Sequence, residues 1–490
     1  MREQKSHLIY LILANMLFHL FLVISPVFSE KSLIEKIDEI VKAEAAYDLF
    51  SGTVLVAENG KILYTEAVGF ANRDHMLPNR LETRFNIGSI GKTFTATLIM
   101  QLLQEGKIAL TDPLSKYFPD FPYPEKDRIL IKHLLNHSSG LDNYMQHESY
   151  DAKKYELRQI KDVLPLIYDQ QLLFEPGEKF SYSNTGMVLL GAIIEKVTGM
   201  HYRDFLKQRI LGPLGMRDSD INYTEEVVPN RATGYNNIYR ETYQVETLRQ
   251  MPAFSDGGLS TTVIDLLKFD QALYGEALLS EEYKNIMFTP VGPQQGFAYG
   301  WIVVPFGGTT VIYHGGGSPG FTAVFRRYPE KGYTLIVLSN YYVSAFDLTN
   351  TIEAAMLGLP YSLATRFDLN YRRGMYYQEG HEEYRVVVEH FGKNLQDPGP
   401  HLPSLYQSAR SKLLGKFDQE KAVEELDRYI NLADETAQPS IAAAWWRKGV
   451  AFEQLGKTGE AINCCRKSLE LDPNFEQAKE TLSRLEGTKP

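Results

Sequence analysis

Runs that read as β-strand lie near the beginning of the chain and return only late in it. From Gly52 to Tyr64 two β-rich runs flank Asn59-Gly60, the dipeptide that most strongly marks a tight hairpin turn. Strand pattern comes back at Thr309–Tyr313, Phe321–Tyr328 and Tyr333–Ser339. Between them, helical segments alternate with Pro- and Gly-marked loops to about residue 290. Ser32–Phe50 carries Leu33, Ile34, Ile37, Ile40 and Val41 at helical spacing. Ser89–Gly106 is helical in pattern, with Gly106 as its stop, and a further helix falls near Leu348–Leu357. Sequential strands tend to pair, so this order predicts an α+β fold. Its antiparallel sheet is built from both ends of the domain, flanked by helices, with a helical insertion between.

At 490 residues the chain is too long for one compact domain. Residues 361–400 mix Gly374, Gly380, Gly392, Pro398 and Pro400 with charges and read as a junction after a domain spanning 30–360. Residues 401–490 are nearly all helical pattern. There Trp445, Gly449, Phe452, Ala461 and Pro473 match the spacing of a tetratricopeptide-like repeat, with a weaker copy around Leu413–Tyr429. The expectation is a C-terminal all-α repeat domain offering a surface for a protein partner.

Arg2 and Lys5 precede an apolar run at residues 8–25, followed by Val27-Phe28-Ser29. That order predicts a cleavable signal peptide over 1–29 and a secreted or periplasmic protein. The alternative is a membrane anchor formed by residues 8–25, the only route by which a membrane enters the reading. A net charge of −10 gives no electrostatic footprint for nucleic acid. The two cysteines, Cys464 and Cys465, are adjacent and supply no disulfide framework, and no Cys/His cluster has metal-ligand spacing. No cofactor is expected.

Three short motifs carry candidate chemistry. In Ser89-Ile90-Gly91-Lys92, residues three apart share a helix face, so the Lys92 amine can reach the Ser89 hydroxyl. A serine becomes a nucleophile once a base takes its proton. A lysine becomes that base once burial or a neighbouring charge favours its neutral form. No other serine in the chain has a lysine three residues on. Tyr182-Ser183-Asn184 follows a Pro-Gly turn and precedes a helical run from Met187 to Thr198. Tyr182 can shuttle a proton, and Asn184 can donate to a substrate carbonyl and accept from Lys92. Tyr235-Asn236-Asn237 and Tyr283-Lys284-Asn285 share that spacing without the preceding turn. His314-Gly315-Gly316-Gly317 closes a strand, and its glycines allow close backbone approach. The Gly317 N–H can complete an oxyanion hole with that of Ser89.

Taken together, the three motifs resemble the β-lactamase and penicillin-binding protein superfamily, whose pattern is S-x-x-K, then Y-x-N or S-x-N, then K-T-G or H-x-G. The tyrosine form is similar to the class C branch. The segments Phe85–Thr93, Ile131–Leu141, Pro213–Met216 and Gly257–Ser260 agree with it, over roughly residues 32–360. The resemblance implies Ser89 as the acylated nucleophile, with Lys92 and Tyr182 as the acid/base pair. It implies Asn184, His314, Gly315 and Gly316 as substrate-binding residues. His314 stands where β-lactamases carry lysine, which favours a peptidase or esterase. His137 reads as a structural turn beside the site, and Asp256-Gly257-Gly258 as a loop near the pocket.

The expected function is an exported serine hydrolase acting on amide or ester bonds of D-amino-acid or peptidoglycan-type peptides or small esters. A β-lactam hydrolase is the alternative. From another class comes a penicillin-binding sensor or scaffold working through its repeats.

Overall fold

The computed structural model describes residues 31–364 except 170, 223–225, 238–242, 247–253, 295 and 343, and then 409, 412–413, 419–433 and 440–487. The signal or anchor segment and most of the junction expected at 361–400 lie outside the described residues. No helix among those described is long and apolar enough to cross a membrane.

The chain enters the fold through α1 (Leu33–Ala46), started by a capping box in which the Ser32 hydroxyl accepts from the Glu35 N–H and the Glu35 carboxylate accepts from the Ser32 N–H. β1 (Gly52–Glu58) and β2 (Lys61–Val68) follow as a hairpin. Asn59 and Gly60 both have positive φ, 49° and 76°, as the two-residue turn between them requires. α2 (Gly91–Gln104), α3 (Asn184–Thr198) and α4 (Val263–Tyr274) are the main helices of the insertion. The late strands are β3 (Ile302–Phe306), β4 (Thr309–Ser318), β5 (Phe321–Tyr328) and β6 (Tyr333–Ser339), closed by α5 (Ser344–Leu357). The six strands form one sheet in the order β3-β4-β5-β6-β1-β2. β1 joins the late strands by antiparallel pairing with β6, from Gly52 opposite Ser339 to Glu58 opposite Tyr333. The sheet is therefore built from both ends of the domain, as expected.

Its central strands β1, β5 and β6 are buried on both faces. Leu55, Ala57, Ala323, Phe325, Ile336 and Leu338 pack with the helices of the insertion. Their alternate neighbours Val54, Val56, Val324, Leu335 and Val337 pack with Ile37, Ile40 and Val41 of α1 and with Leu348 and Ile352 of α5. Period-two alternation thus feeds two cores rather than one core and solvent. A buried ion pair crosses the helical core: Arg327 Nε donates to Asp270 Oδ1 at 2.5 Å, and the Thr334 hydroxyl donates to the other carboxylate oxygen.

The structure extends two sequence readings. β3 was not foreseen, and β4 does not end before the glycines but runs through His314-Gly315-Gly316-Gly317 to Ser318. Glycine lacks strand propensity, yet pairing with β5 holds these residues extended, from Ser318 opposite Phe321 to His314 opposite Phe325.

The described C-terminal residues form α6 (Gln419–Leu432), α7 (Ile441–Gln454), α8 (Thr458–Leu471) and α9 (Glu476–Glu486). At Gly449 an added Cβ would meet the Ala461 carbonyl at 3.1 Å and Cys465 Sγ at 3.2 Å, so that glycine sets how closely α7 and α8 approach. Trp446 Nε1 donates to the Thr481 hydroxyl at 3.0 Å and its ring packs edge-on to Phe475, which ties α7 to α9.

Candidate active site

Ser89 sits in a single 3-10 turn, Gly88–Ile90, that runs directly into α2. Two features hold this turn. Ile87 N–H donates to the Leu259 carbonyl, and Phe85–Asn86 pairs with Ser260–Thr261. On the other side lies β4. A Cβ on Gly316 would fall 1.8 Å from the Ile87 carbonyl and 3.2 Å from Ser89 N, and one on Gly88 would fall 2.5 Å from the Gly317 carbonyl. Gly88 also has φ of 49°. Backbone is thus pressed directly on backbone at both positions, which only glycine permits. The contact brings the main chain at Gly316-Gly317 beside that of Ser89.

One helical turn on, Lys92 is fully buried. Its Nζ donates to Ser89 Oγ at 2.9 Å and to the backbone carbonyl of Asp256 at 2.5 Å. The same Nζ lies 5.1 Å from the centroid of the Tyr182 ring. Tyr182 itself is about one-third exposed, at 37%. It occupies the boundary between the buried amine and the open side of the site.

His137 clamps Tyr182 from behind. Its backbone has φ of 57°, its carbonyl accepts from Ser181 N–H at 2.9 Å, and its Nδ1 accepts from Ser183 N–H at 3.3 Å. Its ring lies 4.4 Å from that of Tyr182. With Nδ1 accepting, the ring proton is on Nε2, which is buried without a hydrogen-bond partner among the described residues. Burial, and then the Lys92 charge, push the His137 pKa down to about 3, so the ring is neutral. It has no lone pair left to serve as a base. The turn reading of His137 agrees with this, and the structure adds that the turn grips the residues on both sides of Tyr182.

His314 is buried, and its Nδ1 donates to the Gly315 carbonyl at 2.6 Å. Burial and the Lys92 charge lower its pKa to about 4. It therefore presents Nε2 as a neutral acceptor. Asp256 is buried too, and accepts from Tyr144 Oη at 3.1 Å through Oδ2. Burial raises its pKa against the opposing pull of Lys92.

A β-lactamase family model matches residues 35–358. The chain belongs to the β-lactamase family. It is a serine hydrolase of that superfamily, and a tetratricopeptide repeat model matches residues 442–475. Penicillin-binding protein 4* of Bacillus subtilis is 34% identical over 345 residues, covering 65% of this chain and 74% of that protein. Among solved structures, a penicillin-binding protein from Bacillus halodurans is 31% identical with a TM-score of 0.60, covering 64% of this chain and 98% of that one. A D-stereospecific amidohydrolase from Streptomyces sp. is 27% identical with a TM-score of 0.58, covering 66% and 99%.

Within this β-lactamase-family domain the sequence-predicted residues converge, with one correction. Asn184 was expected to accept from Lys92. Instead its Nδ2 donates to Met145 Sδ at 3.4 Å, and the Lys92 bond goes to the Asp256 carbonyl. Asn184 is the first residue of α3, and that helix start turns its amide toward the Tyr144–Gln146 turn. The contribution of Asp256 was missed because it acts through a main-chain carbonyl, which no side-chain motif reveals. The decoy Tyr235 is buried elsewhere, accepting from Arg73 N–H at 2.7 Å.

Proposed function

We propose that this β-lactamase-family protein is exported and hydrolyses amide or ester bonds through an acyl-enzyme on Ser89. The observation that carries the proposal is the 2.9 Å bond between Ser89 Oγ and a fully buried Lys92 amine. Ser89 Oγ attacks the substrate carbonyl carbon. Its proton passes to the Lys92 amine, directly or through Tyr182. The developing oxyanion accepts from the Ser89 and Gly317 N–H groups, adjacent because of the glycine contacts. Tyr182 delivers a proton to the departing amine or alcohol. A water then attacks the acyl carbon, and the same relay returns a proton to Ser89 Oγ as the acid leaves. Asn184, His314, Gly315 and Gly316 line the substrate side. Export rests on the charged-then-apolar order of the first residues.

D-amino-acid amides, peptides and small esters are the favoured substrates. A neutral His314 in the third motif supplies no cation for the carboxylate of a β-lactam, and the similarity to a D-stereospecific amidohydrolase supports the same class. Labelling with a fluorophosphonate and, separately, with a fluorescent penicillin, followed by peptide mass spectrometry, tests the reading. Modification at Ser89, abolished in Ser89→Ala, is the expected result. Modification at another residue with Ser89 untouched overturns it. A long-lived penicilloyl adduct places the protein among penicillin binders, and rapid turnover makes it a lactamase.

A further inference from the structure

Residues 142–146 belong to none of the three motifs, yet they reach two of them. Three consecutive residues at the start of α3 are bonded to this segment. The Ser183 and Thr185 hydroxyls both donate to the Asp142 carbonyl, at 3.3 and 2.6 Å. Thr185 Oγ1 also accepts from Tyr144 N–H at 2.8 Å, and Asn184 Nδ2 donates to Met145 Sδ at 3.4 Å. The segment also reaches the Lys92 amine. Tyr144 is fully buried, and its hydroxyl donates to Asp256 Oδ2 at 3.1 Å. The carbonyl of that same Asp256 receives Lys92 Nζ. Two glycines, Gly257 and Gly258, follow this carbonyl, and Gly258 has φ of 80°. Glycines leave a peptide unit freer to rotate than other residues do. The residue before is already held: the Ser255 carbonyl accepts from the Thr95 hydroxyl of α2 at 2.6 Å, and the Ser255 hydroxyl donates to the Met187 carbonyl of α3 at 2.9 Å. The Asp256 side chain adds the tether that directly precedes the glycine pair.

We propose that Tyr144 is a positioning residue for turnover at Ser89, its turn keeping Asn184 and the carbonyl that receives Lys92 in register. The proposal deepens the acyl-enzyme reading and rests on it. Neither link requires Tyr144 to touch substrate. Its buried hydroxyl fixes the Asp256 loop, and its neighbour Met145 fixes the amide of Asn184. Removing the hydroxyl takes a donor from a buried carboxyl group, a cost that relaxation of the Asp256 loop would relieve. A shift of the Lys92 amine by a fraction of an ångström is enough to slow proton transfer from Ser89.

The test compares full-length variants by the rate of fluorophosphonate labelling at Ser89 and by kcat and KM on an acyl ester, each at its optimum pH. Tyr144→Phe keeps the buried ring and removes the hydroxyl. Its labelling rate and kcat are expected to fall together by about tenfold or more, with little change in KM. Asp256→Ala removes the other end of the same bond and keeps the main-chain carbonyl. It should reproduce that loss, and adding Tyr144→Phe to it should cost little more. Asp256→Asn, which keeps an acceptor for the hydroxyl, should lose less than Asp256→Ala. Met145→Leu releases Asn184 alone, so it should lower kcat/KM on the ester more than it slows labelling. Thermal melts identify the folded variants, and if Tyr144→Phe does not fold, the Asp256→Ala and Asp256→Asn pair decides. Wild-type labelling and kcat in folded Tyr144→Phe, or equal rates in Asp256→Ala and Asp256→Asn, overturn the positioning role alone. Failure of Ser89 to label in the wild-type protein, with no Ser89-dependent turnover of any ester, overturns the acyl-enzyme reading and the positioning role with it.

Discussion

Lys92 Nζ donates to the main-chain carbonyl of Asp256 at 2.5 Å, while the carboxyl group of the same aspartate is buried against Tyr144 Oη. The partner of the Ser89 hydroxyl is thus fixed by a residue 164 positions away whose side chain points to a second bond. Holding the amine this way costs stability, because both groups are out of water.

Asp256→Asn separates those costs from catalysis. Burial raises the Asp256 pKa above 3.8, so in the folded state the carboxyl group holds its proton to higher pH than in the unfolded chain. Its contribution to stability is present below pH 3.8 and lost as pH rises through the folded value. Asparagine keeps an acceptor for Tyr144 and removes the titration. The variant is expected to melt at the same or a higher temperature at pH 7 and to shift the pH–rate profile of ester hydrolysis. A lower melting temperature at pH 7 together with an unmoved profile counts against this account.

Lys92→Met is expected to lower kcat by about a thousandfold or more, since members of a proton relay fail together. Stopped assays on an acyl ester measure it. Retention of more than a tenth of the activity excludes Lys92 from the relay.

In the proposed mechanism the oxyanion geometry depends on Gly316. An alanine there would place its Cβ 1.8 Å from the Ile87 carbonyl, so β4 and the Ser89 turn must separate. Loss of one aligned donor costs about a hundredfold or more in kcat. Gly316→Ala is therefore expected to lose that much with little change in KM, whereas Gly317→Ala, where a Cβ meets open space, retains far more.

Two buried neutral histidines make the fold acid-sensitive. The folded pKa values of His137 and His314 are lowered from 6.5 to about 3 and about 4. The unfolded chain binds the extra protons, so stability is intact above pH 6.5 and declines as pH falls toward 4. The slope is about 1.4 kcal/mol per pH unit for each histidine while it remains neutral in the fold. Melting temperatures between pH 7 and 4 should show this decline, and His314→Gln should make it shallower. A flat profile over that range rejects the assignment.

The repeats offer a separate handle. Gly449→Leu drives a side chain into the Ala461 carbonyl and Cys465, so the unfolding transition of α6–α9 should move down or vanish. The rate of fluorophosphonate labelling at Ser89 should stay at the wild-type level. A parallel fall in labelling would show that the hydrolase unit leans on the repeats.

Much of this was readable beforehand because periodicity and turn chemistry are local. Asn59-Gly60 announced its hairpin, and the Ser89/Lys92 spacing announced a shared helix face. What escaped depended on partners outside the segment that carries each motif. β4 continues through three glycines only because β5 holds them. Lys92 turns to a carbonyl at Asp256 rather than to Asn184 because the strand pairing at Phe85–Thr261 carries that loop to the nucleophile.

The pairing of Gly52 with Ser339 also bears on synthesis. A ribosome makes the β1–β2 hairpin early, and that hairpin must wait unpartnered through the whole helical insertion and three more strands before its neighbour β6 exists. Such late closure makes folding slow and leaves β1 with a bare edge in the meantime. Any nascent chain cut short before residue 333 lacks the strand that shields that edge, so premature termination should yield insoluble fragments rather than a weakened hydrolase.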